Sequence, residues 1–542
     1  MKIVLPTNLL NPLRVVGAAA LALSALLIGT AIFATRPRVV SIVSDDCFYY
    51  LQVAKNIVLM GTSTFDGVTR TSGYHPLFAA LLAALYAVLR PGPDLYVHLM
   101  LMLNVVLHLM TGVVLFFAGR RLRDNTTGAI AALLYLANPY AALWTLSGME
   151  ASVSGLALAL FFFTLVPPVG CAPHILSAAL VGAVAVLART DNLIVAMLGA
   201  LFLLAQRGLS LRRRLFGAVA VAGFAAAAMG LWMLYCHNAT GDWAQGSARI
   251  KMLIREYKTL DMSPIQAALY TFDVFQTFVV KSFVKTPALK YMIAVALFAG
   301  AGRLFKALDR ERLFLAFLAV IPLLLALAYG IKLTRTATWY YAPAVVALTL
   351  VSACLARVLL DHPSRRTSAV ALGIALLIAG EGAGYFGVKL ARGRNAYQRD
   401  MLELAEWMQG HLPAGSVVGA WDSGIYSFYS GCRVINLDGL MNNDIAPLME
   451  ANRPLWPEWK QRGIDSVDSY ELWYAGTPSQ YWQYWRERNI RYIAGSTRWL
   501  RGIPTEWTGG RLVTLRAPEA QFSKSPKALY EIQWQDRMES TP

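Results

Sequence analysis

Charged residues are scarce in this chain. They make up 15% of 542 residues, against 56% apolar ones, and the mean hydropathy is +0.47. Soluble domains run nearer a quarter charged. That deficit excludes a string of soluble domains and intrinsic disorder alike. Cysteine is scarcer still: Cys47, Cys171, Cys236, Cys354 and Cys432. They show no CxxC or metal-type spacing, so a disulfide scaffold is excluded and they read as unpaired small apolar residues. Walker, GxGxxG and HExxH patterns are absent. ATP, nicotinamide and a zincin-type metal are unsupported, and no cofactor is expected; a divalent metal stays open, with no motif to support it. Internal repeats and low-complexity segments are missing too.

Acidic residues are the rarer sign, 32 against 49 basic ones, for a net charge of +17. Residues 393–542 hold 16 Lys and Arg and 17 Asp and Glu, so the whole basic excess lies in the first 392. It clusters in short runs between apolar stretches: Arg120, Arg121 and Arg123; Arg207 with Arg212, Arg213 and Arg214; Arg303, Lys306, Arg310 and Arg312; Arg357, Arg365 and Arg366. That is the positive-inside pattern, and no nucleic-acid partner is expected.

Apolar stretches lie at 15–35, 76–90, 97–119, 126–146, 151–167, 173–189, 191–206, 215–235, 286–302, 313–331, 338–356 and 368–390. The first lies between Arg14 and Arg36 and is too long for a cleavable signal but long enough to span a bilayer. With the basic runs and the N-terminus in the cytosol, one stretch must fail to cross. Segment 76–90 is the shortest, reaching about 22 Å as a helix; alternatively, 173–206 is one broken crossing. The expected fold is a polytopic α-helical membrane protein with about 11 crossings. Residues 1–392 form the membrane domain and 393–542 a small extracytoplasmic α/β domain. Strand-like runs occur at 416–420, 433–437 and 491–494. Three regions then share the outer side: 36–75, 237–285 and the tail.

The first outer loop reads Ser44-Asp45-Asp46-Cys47-Phe48-Tyr49-Tyr50-Leu51. Cys47, Tyr50, Leu51, Ala54, Ile57 and Val58 follow helical spacing, which predicts a helix lying in the membrane interface. Asp45 and Asp46 start it, with Ser44 as a possible cap. They either satisfy its free N–H groups or supply a general base at the membrane surface, where desolvation raises a carboxylate pKa. His75-Pro76 opens the next apolar stretch. In the second outer loop, Arg249 and Lys251 are candidate phosphate contacts, ahead of Arg70 and Arg335. Trp243 suits a membrane interface better than a sugar ring. Glu150, Arg189 and Asp191 lie at predicted outer helix ends, where ionisable groups tend to pair. Asp422-Ser423-Gly424 and Asp438-Gly439 read as turns.

The order of these motifs carries a resemblance. An acidic pair with Tyr-Tyr follows the first span. Ser72-Gly73-Tyr74-His75-Pro76-Leu77 precedes the second. Then come Ser147-Gly148-Met149-Glu150, Arg189-Thr190-Asp191 and Thr338-Trp339-Tyr340-Tyr341-Ala342-Pro343. Together they resemble the membrane-embedded glycosyltransferases of the C-type (GT-C) fold: protein O-mannosyltransferases, lipid A aminoarabinose transferases and cell-wall arabinofuranosyltransferases, the last nearest in flavour. The resemblance covers most of the membrane part. It implies transfer of one sugar, with inversion, from a polyprenyl-phosphate donor to an acceptor glycan, lipid or protein on the outer side of a plasma (inner) membrane. Asp45 matches the family's base, with Asp46 the alternative. Tyr74, His75, Glu150, Arg189, Asp191, Arg249, Lys251, Arg335 and Tyr341 are the expected donor- or substrate-binding residues. Similar tail segments in that group help bind acceptor. The rival readings are a secondary transporter, which would call for paired repeats, a non-catalytic scaffold, and a transferase using a diphosphate-linked donor.

Overall fold

A computed structural model describes residues 10–166, 173–277, 312–331, 337–360, 384, 386–463, 478–496, 506–507, 510–516 and 527–534. The helices in chain order begin with α1 (Leu10–Phe33), α2 (Arg36–Ile42), α3 (Asp45–Met60), α4 (Pro76–Leu89) and α5 (Pro93–Leu122). Next come α6 (Asn125–Leu136), α7 (Pro139–Leu146), α8 (Ala151–Leu165), α9 (Ile175–Ala188) and α10 (Asn192–Ala205). Then follow α11 (Leu211–Thr240), α12 (Gly246–Thr259), α13 (Pro264–Gln276), α14 (Arg312–Ile331) and α15 (Ala342–Leu360). The tail adds α16 (Gln398–His411), α17 (Gly424–Tyr429) and α18 (Ala446–Ala451) among its helices.

Among the described residues, five helices are long and apolar enough to cross a membrane: α1, α5, α11, α14, and α15 with the turn before it. Four shorter apolar helices, α4, α8, α9 and α10, pack among them. The stretch expected as one span at 126–146 is instead a bent pair, α6 and α7, 52° apart. Asn138-Pro139 explains the break: proline cannot continue the helix, while the Asn138 side chain accepts from the amides of Tyr140 and Ala141 and starts the next one. The chain is a multi-pass membrane protein. The stretches at 286–302 and most of 368–390 lie outside the described residues.

Helix α3 forms where its periodicity placed it, and Gly61 ends it with φ +71°. Its setting corrects the interfacial expectation. Cys47, Phe48, Tyr49, Tyr50, Leu51, Val53 and Ala54 are all buried, more than one face can hide. The aromatics are the reason. Phe48 packs on Phe428 and Tyr429 of α17, and Tyr50 packs on Phe78 of α4. The helix is therefore held between the membrane bundle and the tail.

The tail contains a six-stranded mixed sheet in the order β2-β1-β3-β6-β5-β4. β1 (Val417–Ala420) pairs in parallel with β2 (Arg433–Asn436) and β3 (Tyr492–Ser496). β4 (Glu506–Trp507), β5 (Gly510–Arg516) and β6 (Lys527–Trp534) extend it antiparallel from β3. The carboxyl ends of β1 and β2 point their loops at α3. In an open parallel arrangement those ends are where functional groups collect.

The three regions expected on one side of the membrane do meet. Arg433 pairs with Asp66 at 3.3 Å, and the Asn443 carboxamide oxygen accepts from Thr71 and from the Ser72 amide. The Gly246 amide donates to Ser72 at 3.1 Å, and Lys460 reaches Asp261 at 3.0 Å. Segments in contact outside the bundle share a face.

Candidate functional site

The site lies under the tail, where the N-termini of α3, α4, α8 and α10 converge. A backbone bond from Ser44 to the Ser147 carbonyl, 2.9 Å, ties the start of α3 to the turn before α8. That turn depends on Gly148. Its φ is +75°, and a Cβ there would sit 2.8 Å from the Cys47 Cβ. Gly-Met-Glu thus brings Glu150 beside the Asp45–Asp46 pair.

Glu150 is the hub of a cluster of charged and aromatic side chains. Its carboxylate pairs with the Arg189 guanidinium, accepts from the Tyr50 hydroxyl at 3.1 Å and lies 3.8 Å from His75 Nε2. Arg189 reaches Asp191 as well, with Nη2 2.9 Å from Oδ2, and Tyr329 donates to the same oxygen at 2.5 Å. The Tyr340 ring covers the Arg189 guanidinium at 4.7 Å, and its hydroxyl meets Lys251 Nζ at 2.7 Å. Burial pushes the His75 imidazole down to about 4, against the pull of Glu150, so it is neutral. Burial also works against the Lys251 ammonium, but Tyr340 and Asp46 hold its pKa above the ordinary value. It stays charged.

The two aspartates face different neighbours. Asp46 is partly exposed and feels Lys251, Asp422, Glu150 and Arg394; burial raises it to about 6, with Lys251 pulling it down. Asp45 is buried at the seam with the tail. Its two carboxylate oxygens accept from the Gly424 and Ile425 amides at 3.0 and 2.8 Å. Burial, then the charge of Asp422, raises it to about 8, and the two amides oppose the rise. Ser44 makes no side-chain cap on α3. Asp45 turns away from its own helix to serve the tail.

Other expected residues take other places. Arg249 is engaged by Asp242 at 2.7 Å and Glu450 of α18 at 2.6 Å, a strut between loop and tail. It lies two residues from Lys251 on α12, so the helical twist of about 100° per residue sends the two side chains to opposite faces. Tyr74 braces α4 against α11, with its ring on Trp232 and its hydroxyl 3.2 Å from that of Tyr235. Tyr341 is buried in the core; Tyr340, its neighbour, is the one at the cluster. The single 3-10 turn Thr338–Tyr341 decides which ring points in. Arg70 is exposed. Trp243 stacks on His237 at 4.4 Å rather than at the cluster. Arg335 lies outside the described residues. Tyr329 and Arg394 left no signal in the sequence, while Tyr50, Tyr340 and Asp422 stood in motifs without being assigned to the site. Asp422, read as part of an Asp-Ser-Gly turn, adopts φ +46°. Among the described residues no three His, Cys, Asp or Glu side chains group as metal ligands.

ArnT from Cupriavidus metallidurans in its apo state is similar over 95% of this chain and 97% of its own, with a TM-score of 0.57 at 12% identity. The Archaeoglobus fulgidus oligosaccharyltransferase in apo form is similar over 89% of this chain and 69% of its own, with a TM-score of 0.55 at 14% identity. The chain has the GT-C fold. ArnT bound to undecaprenyl phosphate also matches, with a TM-score of 0.53, 12% identity and the same coverage. Residues 389–529 match a family model described as a domain of unknown function, DUF8728. Curated proteins yield no match. The GT-C fold accounts for the membrane bundle and the appended tail together.

Proposed function

We propose that the chain is an inverting glycosyltransferase. It moves one sugar from a polyprenyl-phosphate donor to an acceptor on the outer side of the plasma membrane. The observation that carries this reading is the placement of the aspartate pair between two unlike surroundings. On one side lie Lys251, Arg189, His75 and the aromatic lid of Tyr340. On the other lies the tail seam with Asp422.

The chemistry follows from that division. Lys251 attracts the donor phosphate and stabilises the charge that grows on it as the glycosidic bond breaks. Arg189 is held by Glu150 and Asp191 and contributes its field rather than a free fork. Asp45, on the tail side, takes the acceptor hydroxyl proton as that oxygen attacks the anomeric carbon. Asp46 stands beside Lys251 and keeps it charged. The acceptor enters along the seam, where the notion of an acceptor-binding tail has its support in Asp422. ArnT was solved with undecaprenyl phosphate, and the archaeal enzyme with a dolichol-phosphate. A lipid monophosphate suits the cation group here.

The test is transfer by the purified full chain in lipid from radiolabelled polyprenyl-phosphate arabinose, mannose, glucose and aminoarabinose into membrane extract. Asp45→Asn is expected to cut the rate at least about 100-fold, and Asp46→Asn less. Wild-type transfer untouched by either change would remove the site assignment. The likeness to an archaeal oligosaccharyltransferase supports a second reading, transfer of an oligosaccharide, for which a diphosphate-linked donor is the alternative to test. Transfer from a diphosphate-linked donor alone, abolished by EDTA, would favour it.

A further inference from the structure

We propose that the first turn of α17, entered through Ser423, is a positioning element of the reaction centre: its Gly424 and Ile425 amides aim the Asp45 carboxylate, so the base is complete only with the tail seated. This rests on the reading of Asp45 as the base.

Three observations carry it. The Gly424 and Ile425 amides donate to separate oxygens of Asp45, at 3.0 and 2.8 Å, which fixes the carboxylate plane and leaves one lone pair on each oxygen. The approach admits only glycine, because a Cβ on Gly424 would lie 2.4 Å from the Asp45 carbonyl and 3.0 Å from Oδ1. The turn is itself anchored to α3 one helical turn further on. The Ser423 amide donates to the Tyr49 hydroxyl at 3.1 Å, the Asn436 amide group donates to the same oxygen at 3.3 Å, and Asn436 also donates to Ser423 Oγ at 2.9 Å.

The groups around Asp45 come from every element packed on it. Asp46, Cys47 and Tyr49 belong to α3, Asp422 and Tyr426 to the tail turn and α17, Tyr397 to the segment before α16, and Lys527 to β6. Asp46 and Asp422 raise the carboxyl pKa, and the two amides lower it. Losing the amides therefore raises it further.

The experiment titrates the carboxyl infrared band of the full chain in lipid, wild type minus Asp45→Asn, which needs no substrate. Gly424→Ala is expected to raise the midpoint by about one pH unit. Tyr49→Phe, which keeps the ring and removes only the anchoring oxygen, is expected to move it the same way by less. In the transfer assay Gly424→Ala is expected to lower kcat about tenfold, to leave the donor KM within about twofold, and to shift the acid limb of the pH profile upward. An infrared midpoint unmoved in both folded variants would overturn the positioning role. Transfer retained by Asp45→Asn would instead sink the base reading, and with it the catalytic consequence, whatever the midpoint does.

Discussion

Arg189 is 2% exposed and sits between two carboxylates, under the Tyr340 ring. A buried charge of this kind is tolerated because its partners come with it. Removing one partner leaves the others uncompensated. Arg189→Met strands Glu150 and Asp191 together and is expected to cost about 3–5 kcal/mol. Thermal unfolding in detergent reads this directly, and adding Glu150→Gln should restore part of the loss. Unfolding temperatures equal to wild type in the single variant would mean the three groups are solvated in the membrane. The Arg-x-Asp spacing and the lone Glu were legible as a pairing in the sequence. The covering ring was not, because one 3-10 turn chose Tyr340 over Tyr341.

Glycines set how closely the elements approach. A Cβ on Gly73, just ahead of α4, would lie 2.0 Å from the Leu440 carbonyl, backbone against backbone. One on Gly246, at the start of α12, would meet the Asn443 side chain at 2.1 Å. The two loops and the tail are thus packed to contact at fixed points. Gly73→Ala is expected to destabilise the chain by about 1–3 kcal/mol and to lower transfer sharply. Gly92→Ala, with nothing within 4 Å, should do neither. Comparing the melting temperatures of the two variants, and the proteolytic release of the tail, decides it. A Gly73→Ala protein as stable as Gly92→Ala would show that the tail is not seated this way.

The docked tail makes stability depend on pH with two opposite signs. Asp45 and Asp46 titrate higher in the folded chain than the unfolded value of about 3.9. Between those limits the folded chain binds more protons, so their contribution falls as pH rises from about 4 to about 8. Asp66 runs the other way. Burial raises it, but the Val68 and Thr69 amides, Arg433 and Asn442 outweigh that and hold it below its ordinary value. Its contribution is present above the unfolded value and is lost in strong acid. His75, held down at about 4, opposes that fall up to its ordinary value of about 6.5; the melting temperature of the full chain is therefore expected to fall most clearly from about pH 6.5 to pH 8, and Asp45→Asn to flatten that slope. A slope identical in the variant would place the proton uptake elsewhere.

Composition and periodicity by themselves determined the membrane class, the apolar stretches, the charge-neutral tail, helix α3 and the first three strands, because burial in lipid and repeat spacing are written locally. The ordered motifs also carried the fold. Strands β4 to β6 were not legible, although β4 and β5 pair across a tight turn, Trp507 opposite Gly510. Only the tertiary structure decided which aspartate faces which neighbour, that α3 is enclosed rather than interfacial, and that Arg249 leaves the site while Tyr340 joins it. Those choices depend on contacts between residues far apart in the chain, such as Lys251 with Tyr340, Tyr50 with Glu150 and Asp45 with Ile425. No local pattern encodes them, because each is a property of the surfaces that folding brings together.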